Sequence, residues 1–217
     1  MSSGRLNLPN LITGGRILVS PVLVVLILSP SVSLLFVAFV VFVMASLSDL
    51  WDGFLARKYG WVTDMGKLLD PVADKLLLAA TLVPFYVVSH RSDELGEVPG
   101  WGPLPLWVLL VFFIREGAVT LFRSWAARKG RVISAGSSGK AKAFIQNLFS
   151  GSLILWYLLV RAADERGWDG SLWAGWSAFH RGFVAVSLAV ALFLTVYSMV
   201  VYFWEYRDVG RPVEQDG

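Results

Sequence analysis

The sequence predicts an all-α integral membrane protein: six transmembrane helices, with a short amphipathic helix lying along the interface at the N-terminus. Three observations lead there. Of the 217 residues, 56% are hydrophobic and only 16% charged, against about 25% charged in soluble domains. A soluble domain of this length has too little interior to hide that much apolar surface. The apolar residues also gather into blocks long enough to cross a bilayer. Finally, there are ten Trp, whose amphipathic rings favour the membrane–water interface.

Taken in order, residues 1–15 mix polar and apolar side chains. No short apolar run is followed by a small-x-small site, so a cleaved signal peptide is not expected. Ser2–Ile12 is expected to lie along the cytoplasmic interface. The six spans are expected at Arg16–Leu28, Val32–Leu50, Lys67–Ser89, Leu104–Arg123, Ala141–Val160 and Phe183–Trp204. Together they form one membrane domain over 1–217, with 205–217 as a cytoplasmic tail. Internal repeats and low-complexity tracts are missing.

Orientation follows from Lys and Arg. Arg57 and Lys58 follow span two, and Arg128, Lys129, Arg131 and Lys140 follow span four. The opposite side carries Arg91 against Asp93, Glu94 and Glu97, then a mixed loop over Arg161–Gly182. Both termini are therefore expected on the cytoplasmic side. The net charge of +3 gives no reason to expect a nucleic-acid partner. With no Cys, thiolate nucleophiles and Cys-ligated zinc are excluded. His90 and His180 are the only histidines and lack the spacing of a His metal pair.

The chemistry concentrates in Asp49-Leu50-Trp51-Asp52-Gly53-Phe54-Leu55-Ala56-Arg57 and Gly66-Lys67-Leu68-Leu69-Asp70-Pro71-Val72-Ala73-Asp74. On helices, Asp49, Asp52, Gly53 and Ala56 share one stripe, and Gly66, Asp70 and Asp74 share another. Facing stripes bring four carboxylates together near the cytoplasmic end of the bilayer. At mid-membrane, four such charges cost roughly 10–14 kcal/mol, less near an interface. Two divalent cations would offset that cost, and an all-oxygen donor set suits Mg²⁺ or Mn²⁺. Paired ions of this kind serve in-line phosphoryl displacement. Gly53 and Ala56 leave a helix face open to a nucleotide or a neighbouring helix. Arg57 is placed to hold a pyrophosphate or cytidine group.

These residues follow, without departure, the pattern D-x2-D-G-x2-A-R-x8-G-x3-D-x3-D, and the chain thereby resembles the CDP-alcohol phosphotransferase family. The resemblance implies six membrane helices, a homodimer in the membrane, and a two-ion site. It implies that Asp49, Asp52 and Asp70 hold the ions and that Asp74 is the general base, itself able to touch metal. It further implies that Gly53, Arg57 and Thr63 bind CDP-diacylglycerol. Asn7-Leu8-Pro9-Asn10-Leu11-Ile12-Thr13 with Arg16, Arg115-Glu116 with Arg123, and Gly139-Lys140-Ala141-Lys142 with Gln146 look similar to segments of bacterial phosphatidylglycerophosphate synthases. The implied reaction joins CDP-diacylglycerol to glycerol 3-phosphate in a bacterial cytoplasmic membrane.

Each outlying residue keeps a plainer reading beside the functional one. Asn10 is either a helix cap or a nucleotide contact, and Thr63 either a cap or a ligand contact. Arg115, Arg123, Lys140 and Lys142 are the candidates for the acceptor phosphate. Against that, Arg115 and Glu116 make an internal pair, Arg123 snorkels, and the lysines obey the positive-inside rule. Trp51 and Trp61 read as interface anchors, and 136–139 as a Gly/Ser-rich connector. Other acceptors of the same family, such as phosphatidylglycerol, serine or inositol phosphate, remain open. From other classes, a divalent-cation transporter would spread its acids over several spans, and a prenyltransferase would carry two acid motifs on separate helix pairs.

Overall fold

The structure, a computed structural model, describes residues 8–59, 64–91, 95–129 and 137–206. The side chains of 8–9, 50, 52–57, 64, 67–68, 137–138, 140 and 205 lie outside that description. The elements are α1 (Leu8–Leu28), α2 (Val32–Tyr59), α3 (Asp64–Ser89), α4 (Leu106–Arg128), α5 (Ser137–Arg166) and α6 (Ser171–Glu205). Among the described residues there is no strand, only an isolated bridge between Val98 and Gly102.

Five helices are long and apolar enough to cross a membrane, over Asn10–Leu28, Val32–Asp49, Leu69–Ser89, Ala141–Arg166 and Ser171–Trp204. Helix α4 has 23 residues, but Arg115, Glu116 and Arg123 break its apolar run. Large apolar side chains such as Leu18, Val25, Phe36, Met44, Leu121 and Phe193 are exposed. That surface suits lipid and would be a liability in water. Within the helices, hydroxyls turn back onto carbonyls one turn earlier: Thr81 donates to Leu78 at 2.9 Å and Thr195 to Ala191 at 2.6 Å. Such bonds satisfy polar groups where water is absent.

Several boundaries differ from expectation. The first span starts at Asn10, six residues before Arg16, and α1 runs without a break from Leu8. Residues 8–15 are therefore continuous with the first long helix; residues 1–7, the rest of the expected interfacial segment, lie outside the described residues. The connector expected at 136–139 is already helical from Ser137. Most of the loop expected at Arg161–Gly182 is helical too, with α5 reaching Arg166 and α6 starting at Ser171. Charged residues lower the hydropathy of those turns without lowering their helix propensity.

The chain packs as two compact units, 1–104 with 147–185, and 105–146 with 186–217. In the first, α1 packs against both α2 and α3. Leu23, Ile27, Phe42, Leu82, Phe85, Phe149 and Tyr157 are among its buried side chains. Phe85 meets Tyr157 edge-on, with centroids 6.0 Å apart. Arg91 donates to the carbonyl of Leu28 at 3.0 Å, serving an otherwise open C-terminus of α1. After α3, the chain turns at Gly100 and Gly102, with φ of 76° and 68°. A Cβ at Gly100 would lie 3.2 Å from the Ala185 methyl, so both backbone and space call for glycine there. In the second unit, Val108, Phe112, Val119 and Ala126 of α4 are buried, as are Leu188 and Ala191 of α6. Phe122 stands edge-on to Tyr202 and Phe203, at 5.7 and 5.3 Å.

Candidate active site

In the first unit, α2 carries Asp49 and α3 carries Asp70 and Asp74. The i,i+4 step of the last two places both on one face. All three converge on a residue of α1 that the sequence reading left without a role. Arg16 Nη1 donates to Asp49 Oδ1 at 2.5 Å and to Asp74 Oδ1 at 3.0 Å. Its Nη2 lies 3.9 Å from Asp70 Oδ1. One turn earlier, Thr13 Oγ1 donates to the same Asp70 oxygen at 2.9 Å. The Arg16 side chain is 2% exposed, whereas those of Asp49, Asp70 and Asp74 are 34%, 52% and 58% exposed. A guanidinium thus forms the floor, and the carboxylates stand open above it.

Of the remaining expected positions near this cluster, Asn10 lies in the first turn of α1, inside the helix and not ahead of it. Asp52, Gly53 and Arg57 lie on α2, with side chains outside the described residues, as is all of Thr63. Trp51 is exposed; Trp61 lies outside the described residues.

In the second unit, Arg115 Nη1 donates to Glu116 Oε1 at 3.1 Å. Lys142 Nζ donates to that same oxygen. Arg115 Nη2 reaches Ser198 Oγ at 3.3 Å, and Lys142 is 4% exposed. Two cations from α4 and α5 are therefore gathered on one carboxylate. The internal Arg115–Glu116 pair is present, and Lys142 joins it. Arg123 is held differently: its Nε donates to Tyr202 OH at 3.3 Å, and its guanidinium lies 5.6 Å from that ring. Lys140 lies on α5, its side chain outside the described residues. Sequence reading missed Glu116 as the organiser and Tyr202 as the partner of Arg123. The adjacency of Arg115 and Glu116 was the only signal available for the first.

Among the described residues, no three acidic or histidine side chains close on a common point by themselves; the side chain of Asp52 lies outside them. Their chemistry still fits a divalent cation. The donors are all carboxylate oxygens, and three formal negative charges face one positive charge. That excess, in a spanning segment, calls for further positive charge.

The CDP-alcohol phosphatidyltransferase family model matches residues 6–204, and so runs through both units. A CDP-diacylglycerol–glycerol-3-phosphate 3-phosphatidyltransferase of Bacillus subtilis (strain 168) is 32% identical over 200 residues, covering 83% of this chain and 97% of the relative. The protein of that name in Wigglesworthia glossinidia brevipalpis is 30% identical over 213 residues, covering 95% of this chain and 99% of its own. A probable phosphatidylglycerophosphate synthase of Mycobacterium tuberculosis (strain ATCC 25618 / H37Rv) is 36% identical over 119 residues, covering 55% of this chain and 50% of the relative. The chain belongs to the CDP-alcohol phosphatidyltransferase family. It is a transferase of phospholipid synthesis with membrane-spanning helices, in a family that is generally divalent-metal dependent. The transporter and prenyltransferase readings are set aside.

Proposed function

We propose that the protein transfers the phosphatidyl group of CDP-diacylglycerol to glycerol 3-phosphate, giving phosphatidylglycerophosphate and CMP. The observation that carries this reading is the convergence of Asp49, Asp70 and Asp74, from two helices, on one buried guanidinium. The names of relatives matching along most of their own length support the choice of acceptor.

In this reading Asp74 accepts the proton of the sn-1 hydroxyl, and its half-exposed carboxylate leaves room for that approach. The hydroxyl oxygen then bonds to the β-phosphorus of CDP-diacylglycerol. The bond from that phosphorus to the bridging oxygen breaks, and CMP departs with the electron pair. Asp49, Asp52, Asp70 and, on its outer side, Asp74 would hold two divalent ions, Mg²⁺ or Mn²⁺. When bound, such ions stabilise charge on the pyrophosphate and the leaving group. Asn10, Gly53, Arg57 and Thr63 bind the CDP moiety. Arg115, Arg123, Lys140 and Lys142 receive the phosphate dianion of the acceptor, Glu116 holding two of them ready.

We place α4 as the sixth span, since Arg115 and Lys142 find their counter-charge inside the unit. Both units then form one membrane domain in a bacterial cytoplasmic membrane. Its termini and active site lie on the cytoplasmic side, and it acts as a homodimer. The test is to incubate the purified protein with CDP-diacylglycerol and, separately, glycerol 3-phosphate, phosphatidylglycerol, serine and inositol phosphate, and to identify the lipid formed. Product from glycerol 3-phosphate alone is expected. Preferential product from another acceptor would keep the chemistry and replace the acceptor.

A further inference from the structure

We propose that Arg16 and Thr13 of α1 are positioning residues: they hold the carboxylates of α2 and α3 in the arrangement that binds divalent cations. This rests on the phosphatidyl-transfer site described above. A charged side chain in a spanning helix ordinarily snorkels to water or pairs within the protein. Arg16 is 3% exposed and lies inside the Asn10–Leu28 span, so it belongs to the second kind. Its partners include three acids of the family pattern.

The geometry is that of a clamp. A single nitrogen, Nη1, binds an oxygen of Asp49 on α2 and an oxygen of Asp74 on α3. Helix α1 packs against both of those helices, so the bridge is supported by the backbone on each side. Thr13, one turn before Arg16, fixes the third carboxylate through Asp70 Oδ1. Each described acid thus has one oxygen held from α1. Guanidinium suits the task because it is planar, always charged and offers several donors in fixed directions. One positive charge cannot neutralise three acids; it orders them and leaves the excess negative charge for the ions.

The experiment titrates Mn²⁺ into the detergent-purified full-length protein without substrates, counting free Mn²⁺ by electron paramagnetic resonance. KM and kcat are measured in parallel, and folding is checked by melting temperature. Arg16→Ala is expected to weaken Mn²⁺ binding by about 10- to 100-fold, the range seen when groups that orient metal ligands are removed. It should lower kcat and leave KM for glycerol 3-phosphate nearly unchanged. Arg16→Lys should recover part of the affinity, because an ammonium restores the charge without the fork. Thr13→Val should weaken binding by a smaller factor. If Arg16→Ala fails to fold, Arg16→Lys and Thr13→Val carry the test. Mn²⁺ affinity equal to or tighter than wild type in those folded variants would overturn the clamp. A wild-type protein that binds no Mn²⁺ would instead overturn the metal site on which the clamp depends.

Discussion

At the scale of single residues, the proposed function gives the acids around Arg16 the proton and the metal ions, and the cations around Glu116 the acceptor phosphate. Asp74 is anchored through one oxygen by Arg16 and is otherwise half exposed. Asp74→Asn keeps the shape and removes the proton acceptor. It should lower kcat by about 10²- to 10⁴-fold, the usual worth of a positioned base, while CDP-diacylglycerol still binds. Near-normal turnover in that variant would assign the proton to another group. The second cluster gives a different signature. Losing one charge-assisted contact to a dianion costs about 1.5–3 kcal/mol, or roughly 10- to 150-fold in affinity. Arg115→Ala and Lys142→Ala should therefore raise KM for glycerol 3-phosphate by about that factor, with a much smaller change in KM for CDP-diacylglycerol. Equal changes in both constants would make these residues supports of the helix packing alone.

At the scale of elements, hydropathy and spacing made the six helices legible, along with the placement of Asp49 on one and Asp70 and Asp74 on the next. The start of α1 was not legible. Asn10 and Thr13 read as part of the segment ahead of the first span, and Arg16 as that span's first residue, because an average over side chains cannot tell a polar group facing water from one facing carboxylates inside the protein. The structure turns Thr13 and Arg16 inward and buries both, and the span lengthens accordingly. The same blindness hid the convergence on Arg16: the acid pattern contains no position for a residue more than thirty places upstream. The turn after α3 was also invisible to hydropathy, since it depends on backbone angles at Gly100 and Gly102. Gly100→Ala puts a methyl into a left-handed conformation against Ala185. It should cost about 1–2 kcal/mol of stability, seen as a lower melting temperature in detergent with kcat unchanged.

At the scale of the whole molecule, a chain rich in exposed apolar side chains carries a polar site built from three of its helices. Arg57 and Lys58 stand at the C-terminal end of α2, and Lys129 and Arg131 follow α4, which sets the proposed orientation. A cysteine introduced at Gly130 in otherwise Cys-free protein should be labelled by a membrane-impermeant reagent only from the cytoplasmic side. Labelling from the outside would put the site on the wrong side of its nucleotide. Removing divalent cations with excess chelator should abolish turnover, and readdition of Mg²⁺ or Mn²⁺ should restore it. The central claim is that the acceptor hydroxyl itself attacks the β-phosphorus of CDP-diacylglycerol. It is tested most directly with glycerol 3-phosphate carrying ¹⁸O in its sn-1 hydroxyl, with both products weighed by mass spectrometry. The label is expected to be retained in the phosphodiester of phosphatidylglycerophosphate, with CMP unlabelled. A phosphodiester without the label, or label in the nucleotide, would contradict it.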